Sequence, residues 1–145
     1  MIIADSMLGK LTTYLRMLGY EVEYVSSDKE DSFVADESRE KILLTRDKAL
    51  HRKTPNSILV KAYDPKEQLR EVIPKLPEPE HGFLELCSLC GAKIQEVRNR
   101  ENLPEYVNVK AEKIYYCSRC NKYYWEGSHT DNFRKMLRGL GIEIR

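Results

Sequence analysis

The chain has 145 residues, 32% of them charged, and 24 Lys and Arg stand against 23 Asp and Glu. A mean hydropathy of −0.57 and the lack of any apolar run near the ~20 residues of a membrane helix exclude a membrane-spanning protein; the length suits one domain, or a compact domain with a small appendage. The charge is uneven: residues 1–80 carry 13 Lys and Arg against 15 Asp and Glu, whereas residues 81–145 carry 11 against 8. These signs suit an acidic site in the first part and an anion-binding surface in the second.

No basic region followed by a long apolar stretch opens the chain, which predicts a cytoplasmic protein without a secretory signal. Ile2–Ala4 reads as a first strand that stops at Asp5. In "MLGKLTTYLRMLGY", Leu8, Leu11, Leu15 and Leu18 recur at helical spacing, and Gly19 stands where a C-cap glycine belongs. "EVEYVSS" (21–27) reads as a second strand, and residues 31–39 as a short helix carrying Phe33, Val34 and Ala35. "ILLT" (42–45) is a third strand that ends at Arg46 and Asp47, and "SILVKAY" (57–63) a fourth. "DPKEQLREVI" (64–73) has the marks of a helix start, with Asp64 as N-cap, Pro65 at the first position and Glu67 completing a capping box. Strands alternating with helices predict a mostly parallel α/β sheet with helices on its faces.

Three prolines in "PKLPEPEHG" (74–82) mark a semi-extended linker. This places a domain over 1–76, a Pro-rich linker over 77–82, and a second unit over 83–145. In that unit "EYVNV" and "KIYYC" read as strands. "TDNFRKMLRGLGIEIR" reads as a helix with Phe133, Met136, Leu137 and Leu140 on one face, Thr130 as N-cap and Gly139 or Gly141 at its end.

All four cysteines fall in two Cys-x-x-Cys pairs, Cys87/Cys90 and Cys117/Cys120, with 26 residues between them. Two such pairs supply four thiolates at tetrahedral corners, which suits Zn²⁺ at a closed structural site. Gly91 and Asn121, each just after a pair, tolerate the left-handed backbone of a tight knuckle turn. The competing readings are a redox dithiol or two unconnected free-thiol pairs, but a redox role normally has one pair near a βαβ start. A zinc ribbon of this size has too small a core without metal, so zinc contributes to its folding.

In an open parallel sheet, ligands bind beyond the carboxyl ends of the strands, where strand order reverses. Asp5 and Asp47 each follow an apolar strand, so the fold would bring them to one edge. Asp28, Glu30 and Asp31 follow the second strand, and Asp64 follows the fourth. Carboxylates crowded there repel one another unless they hold a hard cation such as Mg²⁺ or Mn²⁺, which could activate water for phosphodiester hydrolysis. For each acid the alternative is structural: Asp5 or Asp47 in a turn or helix cap, Asp64 as N-cap, and the 28–31 cluster as a solvated loop.

Taken together, "ADSMLGKLTTYLRMLGY", "ILLTRDKAL" and "YYCSRCNKYYWEGSH" resemble the Mut-seven C-terminal ribonuclease domain family, a PIN-like nuclease fold followed by a zinc ribbon. The resemblance covers nearly the whole chain. It implies a metal-dependent ribonuclease acting on RNA, with Asp5, Asp47 and an acid from "DKEDSFVADE", for which Asp31 is favoured over Asp28 and Glu30. A fourth acid falls near Asp64. Arg46 either contacts phosphate or steadies the carboxylates through a salt bridge. Trp125 and His129 are also shared. Trp125 either stacks a base or packs a small core, and His129 either contacts a phosphate or caps the last helix. PIN-like domains often dimerise, so a homodimer is also an expectation. The rival readings are a non-catalytic RNA-binding or RNP-assembly factor that retains the fold, and a phosphatase or nucleotidase.

Overall fold

A computed structural model describes residues 1–25 and 40–144; the helix expected over 31–39 and the acids Asp28, Glu30 and Asp31 lie outside the described residues. The first part runs β1 (Ile2–Ala4), α1 (Gly9–Met17), β2 (Val22–Tyr24), β3 (Ile42–Thr45), α2 (Lys48–Arg52), β4 (Ser57–Leu59) and α3 (Pro65–Val72). The strands form one sheet in the order β2-β1-β3-β4, every pair parallel. The chain leaves β1 in one direction to make β2 and crosses back over it to make β3. Strand order therefore reverses between β1 and β3, at the ends of which stand Asp5 and Asp47.

Burial explains the short apolar strands. Ile2, Ala4 and Leu44 face a core built with Leu8, Leu11 and Leu15 around α1 and Leu69 and Val72 of α3. Ile3 and Leu43 point the other way, against Val25 and Leu50 of α2. A sheet covered on both faces needs near-continuous apolar strands instead of alternating ones. Each leucine buried in this way contributes about 1.5–3 kcal/mol.

Helix α1 ends in a Schellman arrangement: Tyr20 N–H donates to Leu15 O and Gly19 N–H to Arg16 O, both at 3.0 Å. Gly19 has φ +100°, and a Cβ there would stand 2.1 Å from His81 O, so both conformation and close approach require glycine. His81 belongs to the proline-rich segment, which is fastened along the first part. Its N–H donates to Gly19 O, its ring meets Glu21 at 2.9 Å, and Tyr20 Oη donates to Pro77 O at 2.7 Å.

The second part holds a three-stranded antiparallel sheet of β5 (Gln95–Glu96), β6 (Ile114–Cys117) and β7 (Lys122–Trp125), followed by α4 (Ser128–Gly139). Phe133 and Leu137 of α4 join the core of the first sheet, with Phe133 stacked on Tyr14 of α1 at 5.5 Å.

Three local expectations are corrected. "EYVNV" forms turns, because Val107 N–H closes on Pro104 O and the Asn108 side chain accepts from Lys110 N–H. Such local bonds outcompete a ladder. The N-cap of α4 is Gly127; Thr130 lies three residues further on, where its hydroxyl accepts from Gly127 N–H and donates to Gly127 O. Asp64 does cap α3, accepting from Lys66 N–H at 2.8 Å, but Glu67 pairs with Arg70 instead of closing a capping box.

Candidate active site and metal centre

Asp5 is 9% exposed at the end of β1. Its Oδ1 accepts from Met7 N–H at 3.0 Å, and its Oδ2 accepts from the Thr45 hydroxyl. Thr45, fully buried at the end of β3, also accepts from Asp47 N–H at 3.0 Å. One hydroxyl thus links the Asp5 carboxylate to the backbone of Asp47 across the switch point. The sequence reading missed Thr45; the signal was a lone hydroxyl closing an apolar run.

Asp47 caps α2, its Oδ1 accepting from Ala49 N–H at 2.8 Å and Leu50 N–H at 3.1 Å. A carboxylate offers about four lone-pair sites, so Asp5 and Asp47 both retain acceptor capacity. Asp64 is exposed and lies near Tyr14, whose hydroxyl is pushed up by burial and then by the Asp64 charge. The structure does not gather Asp5, Asp47 and Asp64 into one ligand cluster: among the described residues, only the cysteines make a group of three or more within metal-bridging reach.

Arg46, between Thr45 and Asp47, lies over the Tyr63 ring, its guanidinium carbon 5.3 Å from the centroid. Among the described residues its buried Nε has no hydrogen-bond partner. Among the described residues it makes no salt bridge to a carboxylate.

The four cysteine Sγ atoms all lie within 4.8 Å of one another, Cys87 to Cys120 at 3.8 Å and Cys90 to Cys117 at 3.6 Å. A Zn–S bond of about 2.3 Å implies a tetrahedral edge of about 3.8 Å, so the donor set fits zinc. Both knuckles turn as their residues predict, Gly91 at φ +80° and Asn121 at φ +53°. Burial pushes the Cys87 thiol up, but hydrogen bonds from the Tyr124 hydroxyl and the Cys90 and Leu89 backbones outweigh it and leave it at about 7. Cys120, beside Cys90 and desolvated, is pushed up to about 12. Four crowded thiols cannot all ionise against one another; a dication at their centre removes that repulsion.

Arg16 of α1 reaches this centre. Its Nη2 donates to Val22 O and its Nη1 to Leu89 O, both at 2.8 Å, which ties the first knuckle to the parallel sheet. Burial lowers its pKa, while its electrostatic attraction to Cys90, Cys87 and Cys120 opposes that shift. A Zn²⁺ held by four thiolates would carry a net −2, which this guanidinium would partly offset. The sequence carried no local signal for Arg16, because its partner Leu89 is 73 positions away.

Trp125 packs at the edge of the cluster around Val107, Ala111 and Ile114, and His129 stands edge-on to it at 5.8 Å. Both line a groove of about 610 Å³ with Phe83, Tyr106, Lys93 and Lys122. His129 is the second residue of α4 and leaves the cap to Gly127.

A family model described as Mut7-C RNAse domain matches residues 1–137. The chain belongs to this family. The Mut7-C match spans the acidic edge, both knuckles and α4 as far as Leu137, so it takes in the parallel sheet and the cysteine centre together. No curated protein and no solved structure matches this Mut7-C chain. None of its helices among the described residues is long and apolar enough to cross a membrane.

Proposed function

We propose that this chain is a divalent-metal-dependent ribonuclease that hydrolyses RNA phosphodiester bonds at the switch point of its parallel sheet. The observation that carries this reading is the Asp5–Thr45–Asp47 bridge, which holds the Asp5 carboxylate against the backbone of Asp47 at the edge where open α/β sheets bind ligands. Mg²⁺ or Mn²⁺, when bound, supplies water activation and stabilisation of the leaving oxygen. Asp5 and Asp47 would hold the cation, with Asp31 as third acid; Asp64, the fourth acid of the expected set, keeps its place as the N-cap of α3.

In this reading Thr45 fixes the Asp5 carboxylate, and Arg46 directs its guanidinium fork at a phosphate oxygen. The zinc ribbon stabilises the chain and adds RNA-binding surface, Trp125 stacking a base and His129 contacting a phosphate. Four thiolates leave no open position on zinc, so no chemistry is assigned there. The division into 1–76, 77–82 and 83–145 belongs to the same proposal, as does a cytoplasmic location.

One observation favours a second reading, a non-catalytic RNA-binding or RNP-assembly factor. Both aspartates already accept hydrogen bonds that serve the fold, Asp5 from Met7 N–H and Asp47 from the first turn of α2. The test is cleavage of labelled RNA with Mn²⁺ or Mg²⁺ by wild type, Asp5→Asn and Asp47→Asn. RNA binding without cleavage in either ion selects the second reading.

A further inference from the structure

We propose that Tyr63 and Arg46 form one nucleotide-binding platform, on which Tyr63 stacks an unpaired RNA base while Arg46 grips the adjoining phosphate. The proposal rests on the RNA-directed reading above and names the part of the substrate that docks beside the acids.

Tyr63 is 85% exposed, more than any other large hydrophobic residue described. Such exposure usually accompanies a mobile side chain on a loose loop, yet the loop between β4 and α3 is fastened. Both carboxylate oxygens of Glu71 accept from Lys61 N–H at 2.9 Å, and one also accepts from Ala62 N–H. The buried Gln68 donates from Nε2 to Ala62 O at 3.0 Å and to Tyr63 O at 3.4 Å. Two side chains of α3 therefore hold the backbone on both sides of an aromatic ring that the core does not use.

One face of that ring carries Arg46, within the ~6 Å reach of a cation–π contact. Among the described residues that guanidinium makes no hydrogen bond; its Nε is buried, so the half-buried side chain leaves its terminal nitrogens to meet a ligand. An anion would meet those terminal nitrogens and leave the contact with the ring in place. Arg46 directly follows Thr45, which holds Asp5, so such an anion would lie beside the acidic edge. A planar ring with a free face, next to a guanidinium that makes no ion pair among the described residues, matches a base and its phosphate. Base–aromatic stacking tolerates any base, because every base has a π-face.

The test is binding of a fluorescent single-stranded oligoribonucleotide to zinc-loaded protein without added Mg²⁺ or Mn²⁺, read by anisotropy. Tyr63→Ala should weaken binding by roughly 5- to 150-fold, while Tyr63→Phe stays within about threefold of wild type. Duplex RNA, whose bases are already stacked, should be insensitive to Tyr63→Ala. Since the ring is exposed, both variants should melt with wild type. Single-strand binding unchanged in Tyr63→Ala would overturn the platform alone. An equal loss for duplex would show a general surface effect and also overturn it. Failure of wild type to bind any RNA would overturn the proposed function together with the platform.

Discussion

Replacing Thr45 by valine keeps the volume of a fully buried side chain and removes only its hydroxyl. That hydroxyl donates to the nearly buried Asp5 carboxylate and accepts from Asp47 N–H at 3.0 Å. A hydrogen bond to a charged acceptor contributes ~1.5–3 kcal/mol, and an orphaned N–H costs ~1–3 kcal/mol where water is excluded. Asp47 is half-buried, so water recovers part of the second loss, and ~2–4 kcal/mol is expected. With a urea m-value near 2 kcal/mol/M, the midpoint should fall by about 1–2 M at neutral pH. Thr45→Ser is the control: it keeps the bridge and loses one methyl, at a cost of ~0.8 kcal/mol. RNA cleavage should fall in the valine variant and persist in the serine variant, because the bridge aims Asp5. Equilibrium urea unfolding followed by circular dichroism measures the stability side. A valine midpoint within about 0.25 M of wild type, or a serine variant as weak as valine, would refute the bridge.

Arg16→Met should cost ~2–4 kcal/mol in the same assay, since it strands the Val22 and Leu89 carbonyls and loosens the first knuckle from α1. It should also weaken zinc retention in competition with a chromogenic chelator, and unchanged retention would confine Arg16 to packing. Removing zinc should unfold the ribbon, because the ~10–16 kcal/mol of a structural site is folding free energy. Trp125 is the chain's single tryptophan, and its emission should shift to the red as its contacts with Tyr106 and Ile114 are lost. An unshifted spectrum after complete removal of zinc would contradict that role.

Much of this architecture was legible because local chemistry left few choices. Ile2–Ala4 and Ile42–Leu44 are too short and apolar for anything but strands covered on both faces, and the polar residues that succeed them, Asp5 and Thr45 to Asp47, fall at the sheet edge. Gly19, Gly91 and Asn121 announced positive φ through the residue types that tolerate it. The features that stayed hidden depend on distant partners. Arg16 acquires its role from residues 88 and 89, and Thr45 from Asp5, 40 positions away. "EYVNV" misled because its alternation suits a strand, while Pro104 and Asn108 offer the backbone closer partners in turn bonds. Thr130 does mark the start of α4, but the free backbone of Gly127 took the cap and left the threonine to bond back to it.

Asp5 and Asp47 are expected to serve chemistry as well as structure, and the two roles separate experimentally. Asparagine caps a helix about as well as aspartate, so Asp47→Asn should preserve α2. Asp5→Asn keeps one carbonyl oxygen for Met7 N–H but loses the charged acceptor of the Thr45 hydroxyl, so it should melt lower yet stay folded. The decisive measurement is single-turnover cleavage of a labelled RNA by zinc-loaded protein with Mn²⁺, alongside zinc content and melting temperature. Wild type should cleave, and each variant should lose about 100-fold or more in rate with its zinc and fold intact. Variants that cut as fast as wild type would contradict a catalytic role for the acidic edge.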